Sequence, residues 1–543
     1  MTETPIRTGS PGRDGFVPAR ELWIACALCL IASIAAIGWS WQNGALLNYG
    51  DAVAHLHIAR RFIDCRFHSI AELGSVWLPL PHLLMLPFVQ VYNWWANGVA
   101  GTIPSALAYL AACIGIYRLA RHWLQPPAAA LALAFFALNP NLLYLQTTGM
   151  TEPLFLCEMI WTVVWLVEWR ASLDDDPKRA GRLQGWIVMV LVAAVYTRYD
   201  GWIIALVAWI AIGVARLRAR KLRSTSFWVC SVVLATAPAL WFLYNATQFG
   251  DWLEFARGPY SAKAIELRTA THGSGPLHPG WHDSRIALQF FLKVSVLDAL
   301  AGWGKLGLAL SILGTAGAWV FQRRHAFTWA LLLWVPVPFY AYSVAYGSVP
   351  IFIPVWWPHS WYNTRYGLEM LPAFALGLAF VAQFAISMVR EFKPQWAKYA
   401  VMAISVLVAF NAWELVRERP LVYVEGTKNI GARRPFDENI PPVLRKLVAE
   451  RPGGAVLMNT SVYPELVAFS GIPLRQTINE SDQYIYRDAL AAPAAHAAVV
   501  VAFDGDEIDQ AVKAHPAGLT AAGRYTAKGQ PAGTIYVSDT WRR

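Results

Sequence analysis

The chain has 543 residues, of which 56% are hydrophobic and only 15% charged. Soluble domains carry about 25% charged residues, so most of this chain is built for solvation by lipid, which excludes a soluble globular protein or a disordered one. The formal charge of +10 does not call for a nucleic acid, because Lys and Arg of polytopic proteins gather in cytoplasmic loops.

In chain order, a polar tail at 1–21 with Arg7, Arg13 and Arg20 reads as a cytoplasmic segment leading into an uncleaved anchor. Crossing a bilayer takes roughly 20 apolar residues, which predicts about eleven spans. They fall at 22–42, 99–120, 128–146, 151–169, 184–199, 201–215, 227–248, 303–321, 326–346, 366–389 and 397–416. With the N-terminus inside, every second connection is basic. Arg118 and Arg121 follow the second span, Arg170, Lys178, Arg179 and Arg182 the fourth, and Arg216, Arg218, Arg220, Lys221 and Arg223 the sixth. Arg323 and Arg324 follow the eighth, and Arg390, Lys393 and Lys398 the tenth. This pattern obeys the positive-inside rule. It predicts a multi-pass protein of the inner (plasma) membrane with its long loops, 43–98, 249–301 and 347–365, all outside.

The tail at 417–543 has another character. Short β-branched runs at 455–459, 497–502 and 534–537 alternate with helical stretches at 441–450, 484–492 and 506–514. Strands alternating with helices predict an extracytoplasmic α/β domain. It holds no GxGxxG or Walker-type phosphate loop, and Pro452-Gly453-Gly454 reads as a turn before a strand. The fold class is therefore an α-helical polytopic membrane protein with a C-terminal extracytoplasmic α/β domain. Five of the six cysteines lie in apolar runs, and the Cys26–Cys29 spacing reads as helix packing.

Ionisable residues at membrane depth or at its edge are costly and point to function. Asp51 follows the first span and precedes a helix predicted at about 52–63; it suits a catalytic acid or base, with a helix N-cap as the structural alternative. His55 lies one turn beyond on the same face, placed to tune the acid or bind substrate. Arg60 and Arg61 suit a phosphate or lipid headgroups. Pro79 and Pro81 force extended backbone, so the segment turns along the membrane surface before a short helix at about 82–90, next to the acidic loop and suited to a long lipid substrate. Glu152 opens the fourth span, where an acid also favours the helix dipole. Arg198 and Asp200 flank a tight outside turn. Tyr362, Asn363, Arg365, Tyr366 and Glu369 form a second polar cluster, and a guanidinium there suits bidentate phosphate recognition. His55, His57, His82, His272, His278, His282 and His359 all fall outside without a recognisable metal spacing. No cofactor is called for, and a divalent metal held between loops stays open.

The first outside loop with Gly-Asp, Ala-His-Leu and Ala-Arg-Arg, the Thr-Glu-Pro at the fourth span, the Arg-Tyr-Asp-Gly turn and the Asn-x-Arg-Tyr entry to a late helix resemble the GT-C superfamily of polytopic glycosyltransferases. The likeness covers about residues 20–415 and is nearest to the group of bacterial protein O-mannosyltransferases and the lipid A aminoarabinose transferase. Many O-mannosyltransferases carry Asp-Glu here, whereas Asp51 is followed by Ala52. The resemblance implies transfer of a sugar from a polyprenyl-phosphate donor to a glycan, lipid or protein acceptor on the outer face. It implies Asp51 as general base with inversion at the sugar, and Arg365, Arg198 and Arg60 as candidates for the lipid phosphate. The 249–301 loop, with Lys263 and Arg268, would then lie over the site as a lid. The competing expectation is a non-catalytic lipid-linked glycan transporter or flippase, which would bind at the midplane between paired halves; no such halves are visible.

Overall fold

The structure is a computed structural model that describes residues 17–269, 277–322 and 327–541. Arg7, Arg13, His272, Arg323 and Arg324 lie outside the described residues, as does the side chain of Arg268. Among the described residues, nine helices are long and apolar enough to cross a membrane by length and composition. Large apolar side chains such as Trp23, Ile31, Phe321 and Phe384 point outward along them. In a soluble protein such a surface would be a liability; here it is the face offered to lipid, and the chain is a polytopic membrane protein.

Two expected spans differ from simple crossings. The stretch 128–146 is broken into helices Pro126–Ala137 and Pro140–Leu145. Pro140 has no N–H and holds Asn139 in extended geometry, which stops one helix and starts the next. The fourth span is a continuous helix, Glu152–Ser172, but it carries Glu152, Glu158 and Glu168, all buried. It sits at the centre of the bundle against Val99–Arg121 and Pro177–Thr197, so its acids face protein and not lipid.

The long outer segment 249–301 is not all loop. It contains short helices Glu254–Arg257 and Ala262–Thr269, then a 16-residue helix, Ser284–Ala299, packed on the Pro336–Tyr346 helix and the 3₁₀ run Thr364–Met370. Asp283 caps that helix, accepting from the N–H groups of Arg285 and Ile286.

The tail contains five strands: β1 (Val456–Leu457), β2 (Thr477–Ile478), β3 (Val499–Phe503), β4 (Leu519–Tyr525) and β5 (Gly533–Ser538). Their order is β2-β1-β3-β5-β4. β1 pairs in parallel with β2 and β3, while β5 runs antiparallel to β3 and β4. The expected run at 455–459 contains β1, and those at 497–502 and 534–537 overlap β3 and β5. β2 and β4 were not expected, because Thr477–Ile478 is flanked by the polar residues Arg475, Gln476, Asn479 and Glu480, and β4 is a mostly exposed edge strand. The helix expected at 441–450 is the last third of a 30-residue helix, Leu421–Glu450.

The tail does not stand apart. One apolar cluster joins Leu56, Ala59, Met85 and Val89 of the first outer loop to Phe436, Ile440, Leu444, Val456 and Val499 of the tail. Polar contacts tie the same surfaces: Asp64 accepts from Arg475 Nη1 at 3.1 Å, and Tyr92 Oη donates to the Ala468 carbonyl at 3.0 Å. The helix that carries Asp51 is thus packed between the bundle and the tail.

Candidate active site

Asp51 lies in the first turn of the helix Gly50–Arg61, whose N-cap is Tyr49. Its carboxylate does not cap that helix. It receives Arg365 Nη2 at 2.6 Å, and the side chain keeps 45% exposure. Close backbone approach seats this helix: a Cβ on Gly149 would fall 3.3 Å from the Ala52 carbonyl, and one on Gly101 would fall 2.6 Å from Gly149 Cα.

Arg365 enters on the 3₁₀ run Thr364–Met370 and is buried. Its three nitrogens meet three carboxylates from three parts of the chain: Nη2 Asp51, Nε Glu152 at 2.9 Å and Nη1 Glu425 at 3.1 Å. Glu152 Oε1 also accepts from Arg198 Nη1 at 3.0 Å. Arg198 is further held by Asp200 (Nε to Oδ2, 3.0 Å), Thr151 Oγ1 (3.1 Å) and Tyr340 Oη (3.0 Å). Tyr340 Oη in turn lies 2.6 Å from Glu369 Oε1. Both guanidiniums also lie over the Tyr366 ring, each 5.0 Å from its centroid, within cation–π distance. Glu152, Arg198, Asp200 and Arg365, read from separate motifs, therefore converge on one network with Asp51 at its edge.

That edge opens on a cavity of about 600 Å³ lined by Asp51, Trp77, Glu266, Tyr362, Arg365, Tyr366 and Ser461, among others. It draws on the first outer loop, the 249–301 segment, the 347–365 loop and the tail. The 347–365 loop is shaped by an antiparallel bridge between Phe352 and Tyr362. His278, 3.0 Å from Glu266, also faces this space.

Two candidates are placed elsewhere. Arg60 lies outside the network; it grips Asp64 at 2.9 Å and the carbonyls of Val89 and Gln90, holding the surface helix Leu80–Val89. His55 does not line the cavity. It is buried beneath Trp77 and pairs with His82 (Nδ1 to Nε2, 2.8 Å). Among the described residues no group of three or more His, Cys, Asp or Glu is placed to hold a metal ion. Glu425, Tyr340 and Asp298 carry no motif. Asp298 is fully buried behind the Arg365 segment, and among the described residues neither carboxyl oxygen has a hydrogen-bond partner. The usable signal was an ionisable or phenolic residue inside an apolar stretch.

Two expectations follow from this packing. A Cβ on Gly367 would fall 2.4 Å from Asp298 Oδ2 and 2.8 Å from the Ser295 backbone. Gly367→Ala is therefore expected to cost about 1–3 kcal/mol by overpacking and to shift Arg365, lowering thermal stability and any activity together. The outer-loop histidines bear on acid stability. Burial lowers His55 to about 3, helped by the Arg365 and Arg198 charges, and lowers His57 to about 3, helped by Arg61. His82 is also pushed well below its usual range by burial. Each stays neutral when folded and protonates on unfolding near its ordinary pKa of about 6.5. The stabilisation is complete above about 6.5 and is lost as pH falls toward about 3, on the order of 1 kcal/mol per pH unit and imidazole. Thermal midpoints in detergent should fall between pH 7 and 5, and less steeply in His57→Leu, since neither His57 nitrogen has a hydrogen-bond partner among the described residues.

No protein-family model matches the chain. It is 22% identical over 408 residues to undecaprenyl phosphate-alpha-4-amino-4-deoxy-L-arabinose arabinosyl transferase 2 of Proteus mirabilis, covering 69% of this chain and 68% of that protein. The corresponding arabinosyl transferase of Photorhabdus laumondii is 21% identical over the same shares. Two crystal structures of ArnT from Cupriavidus metallidurans superpose along nearly the whole chain. The form bound to undecaprenyl phosphate gives a TM-score of 0.55 at 13% identity, covering 96% of this chain and 98% of that one. The apo form gives 0.51 at 14%, covering 95% and 98%. The chain thus has the fold of these ArnT structures, in line with the resemblance carried by its loop motifs.

Proposed function

We propose that this protein is an inverting glycosyltransferase that moves a sugar from a polyprenyl-phosphate donor to an acceptor hydroxyl on the extracytoplasmic face of the inner membrane. The observation that carries the reading is Asp51: a half-exposed carboxylate on the wall of a large cavity, touched by an arginine otherwise enclosed in acids. Asp51 takes the proton of the acceptor hydroxyl as its oxygen attacks the anomeric carbon. The bond from that carbon to the phosphate oxygen breaks, and its electron pair leaves with the polyprenyl phosphate. Attack opposite the leaving group inverts the centre. Arg365 reaches the cavity through the nitrogen that holds Asp51, so an arriving phosphate exchanges with Asp51 there, gains charge stabilisation and frees the base. Trp77, Tyr362 and Tyr366 wall the space around the sugar.

The curated relatives are named for donors in which 4-amino-4-deoxy-L-arabinose is carried on undecaprenyl phosphate, and a donor of that class is the one proposed here. The acceptor is a glycan, lipid or protein of the envelope. The tail and Asp51 share one side of the membrane and the N-terminus the other, so a reporter fused after Arg543 should be active only outside the cytoplasm. Mass spectrometry of envelope glycans from cells lacking the chain tests the function. One glycan class should lose a sugar, and an unchanged envelope would contradict the reading.

A further inference from the structure

We infer that Glu425 is a positioning residue of the transfer reaction, acting through Arg365; this rests on the reading of Asp51 and Arg365 given above. Glu425 lies past the last apolar span, on the helix Leu421–Glu450, and is fully buried. Its carboxylate takes donors from three consecutive residues. Oε1 accepts from Asn363 N at 3.0 Å and Arg365 Nη1 at 3.1 Å, and Oε2 accepts from Thr364 N at 2.8 Å and from the Thr364 hydroxyl. Asn363 sits in the left-handed region at φ +54°, a conformation that a non-glycine residue keeps only where its surroundings hold it. Glu425 supplies that hold by accepting the N–H groups of Asn363 and Thr364.

The consequence reaches the guanidinium. Glu152 takes Nε and Glu425 takes Nη1, so Arg365 is fixed at two corners and its third nitrogen is aimed at Asp51 and the cavity. Glu425 does not line the cavity, so it acts only through Arg365. Its own segment is anchored independently. Tyr49 Oη donates to the Val422 carbonyl at 2.7 Å, Val422 N donates to Asn141 Oδ1 at 2.9 Å, and a Cβ on Gly426 would fall 2.9 Å from Tyr144 Oη. The chain beyond the membrane bundle thereby sets the geometry of the residue that meets the donor phosphate. Removing 417–543 would take away this carboxylate and most of the apolar cluster under the Asp51 helix, so loss of transfer in such a truncation does not place the chemistry in the tail.

The test uses the full chain in detergent or nanodiscs with a purified polyprenyl-phosphate sugar donor. Glu425→Gln is expected to lower kcat at least about 30-fold with donor KM within about 3-fold, the split of a residue that matters in the transition state more than in binding. Glu425→Asp, which keeps the charge on a shorter arm, should fall between wild type and Glu425→Gln. In an Arg365→Lys background, Glu425→Gln should add little, because the two residues act as one unit. Wild-type kcat in Glu425→Gln, a change confined to KM, or a full additional loss in Arg365→Lys would each overturn the role of Glu425. If Glu425→Gln is not recovered as folded protein, Glu425→Asp carries the test, and wild-type kcat there overturns it. Absence of transfer by the wild-type chain would instead overturn the glycosyltransferase reading itself.

Discussion

Asp51→Asn is expected to lower sugar transfer by about 10²–10⁴-fold, the usual contribution of a general base, while leaving the protein folded. The amide keeps an oxygen for Arg365 Nη2 but cannot accept the acceptor's proton. Stability should change little, because Asp51 is half-exposed and lies at the edge of the ion network, not inside it. The measurement is a rate of transfer from purified donor, with thermal midpoint and gel-filtration profile as controls. Full activity in Asp51→Asn would remove Asp51 from the mechanism.

Arg365→Gln is expected to be more damaging, and in a different way. It strips the shared cation from Glu152 and Glu425, which are both essentially unexposed. Breaking one side of a buried ion pair costs about 3–5 kcal/mol because a charge is left without a partner. Transfer should vanish and the thermal midpoint should drop with it. Arg365→Lys keeps the charge but not the planar fork that engages three carboxylates, so it should recover part of the stability and little of the rate. Arg60→Gln is the useful contrast. Its guanidinium holds Asp64 and the end of the surface helix, so the loss should appear in stability and leave kcat near wild type. A kcat loss in Arg60→Gln as large as that in Arg365→Gln would contradict this placement.

Much of the site was legible in the sequence because lipid makes ionisable residues conspicuous. Asp51, Glu152, Arg198, Asp200 and Arg365 each stood out as charges at the edge of an apolar run. What no local reading reaches is their convergence. Glu152 and Arg365 are 213 positions apart, and Arg365 and Asp51 314, so the network exists only once the bundle has packed. Asp51 could also be read as a helix cap, and the structure sets that reading aside: the helix starts one residue earlier, under Tyr49, and the carboxylate turns to Arg365. Glu425 was hidden in a tail read as an α/β domain, and Tyr340 lies inside the 326–346 run, which was read only as a span. The bundle was visible from hydropathy, yet the break at Asn139–Pro140 shows how one proline divides a run that length alone would pass as a span. β2 and β4 were beyond reach for another reason: a two-residue strand flanked by polar residues, unlike β1 in its apolar run, or an exposed edge, carries too little apolar signal to register.

As the general base, Asp51 activates an acceptor for inverting attack on a lipid-linked sugar in the proposed reaction. The most direct measurement reconstitutes the full chain in liposomes with an isotopically labelled polyprenyl-phosphate sugar and an envelope-glycan acceptor, and follows the label and the anomeric configuration of the product by NMR. The account predicts a covalent product of inverted configuration with the wild-type chain and almost none with Asp51→Asn. Label that crosses the bilayer still attached to its lipid, with no glycosidic product, or a product of retained configuration, would contradict it.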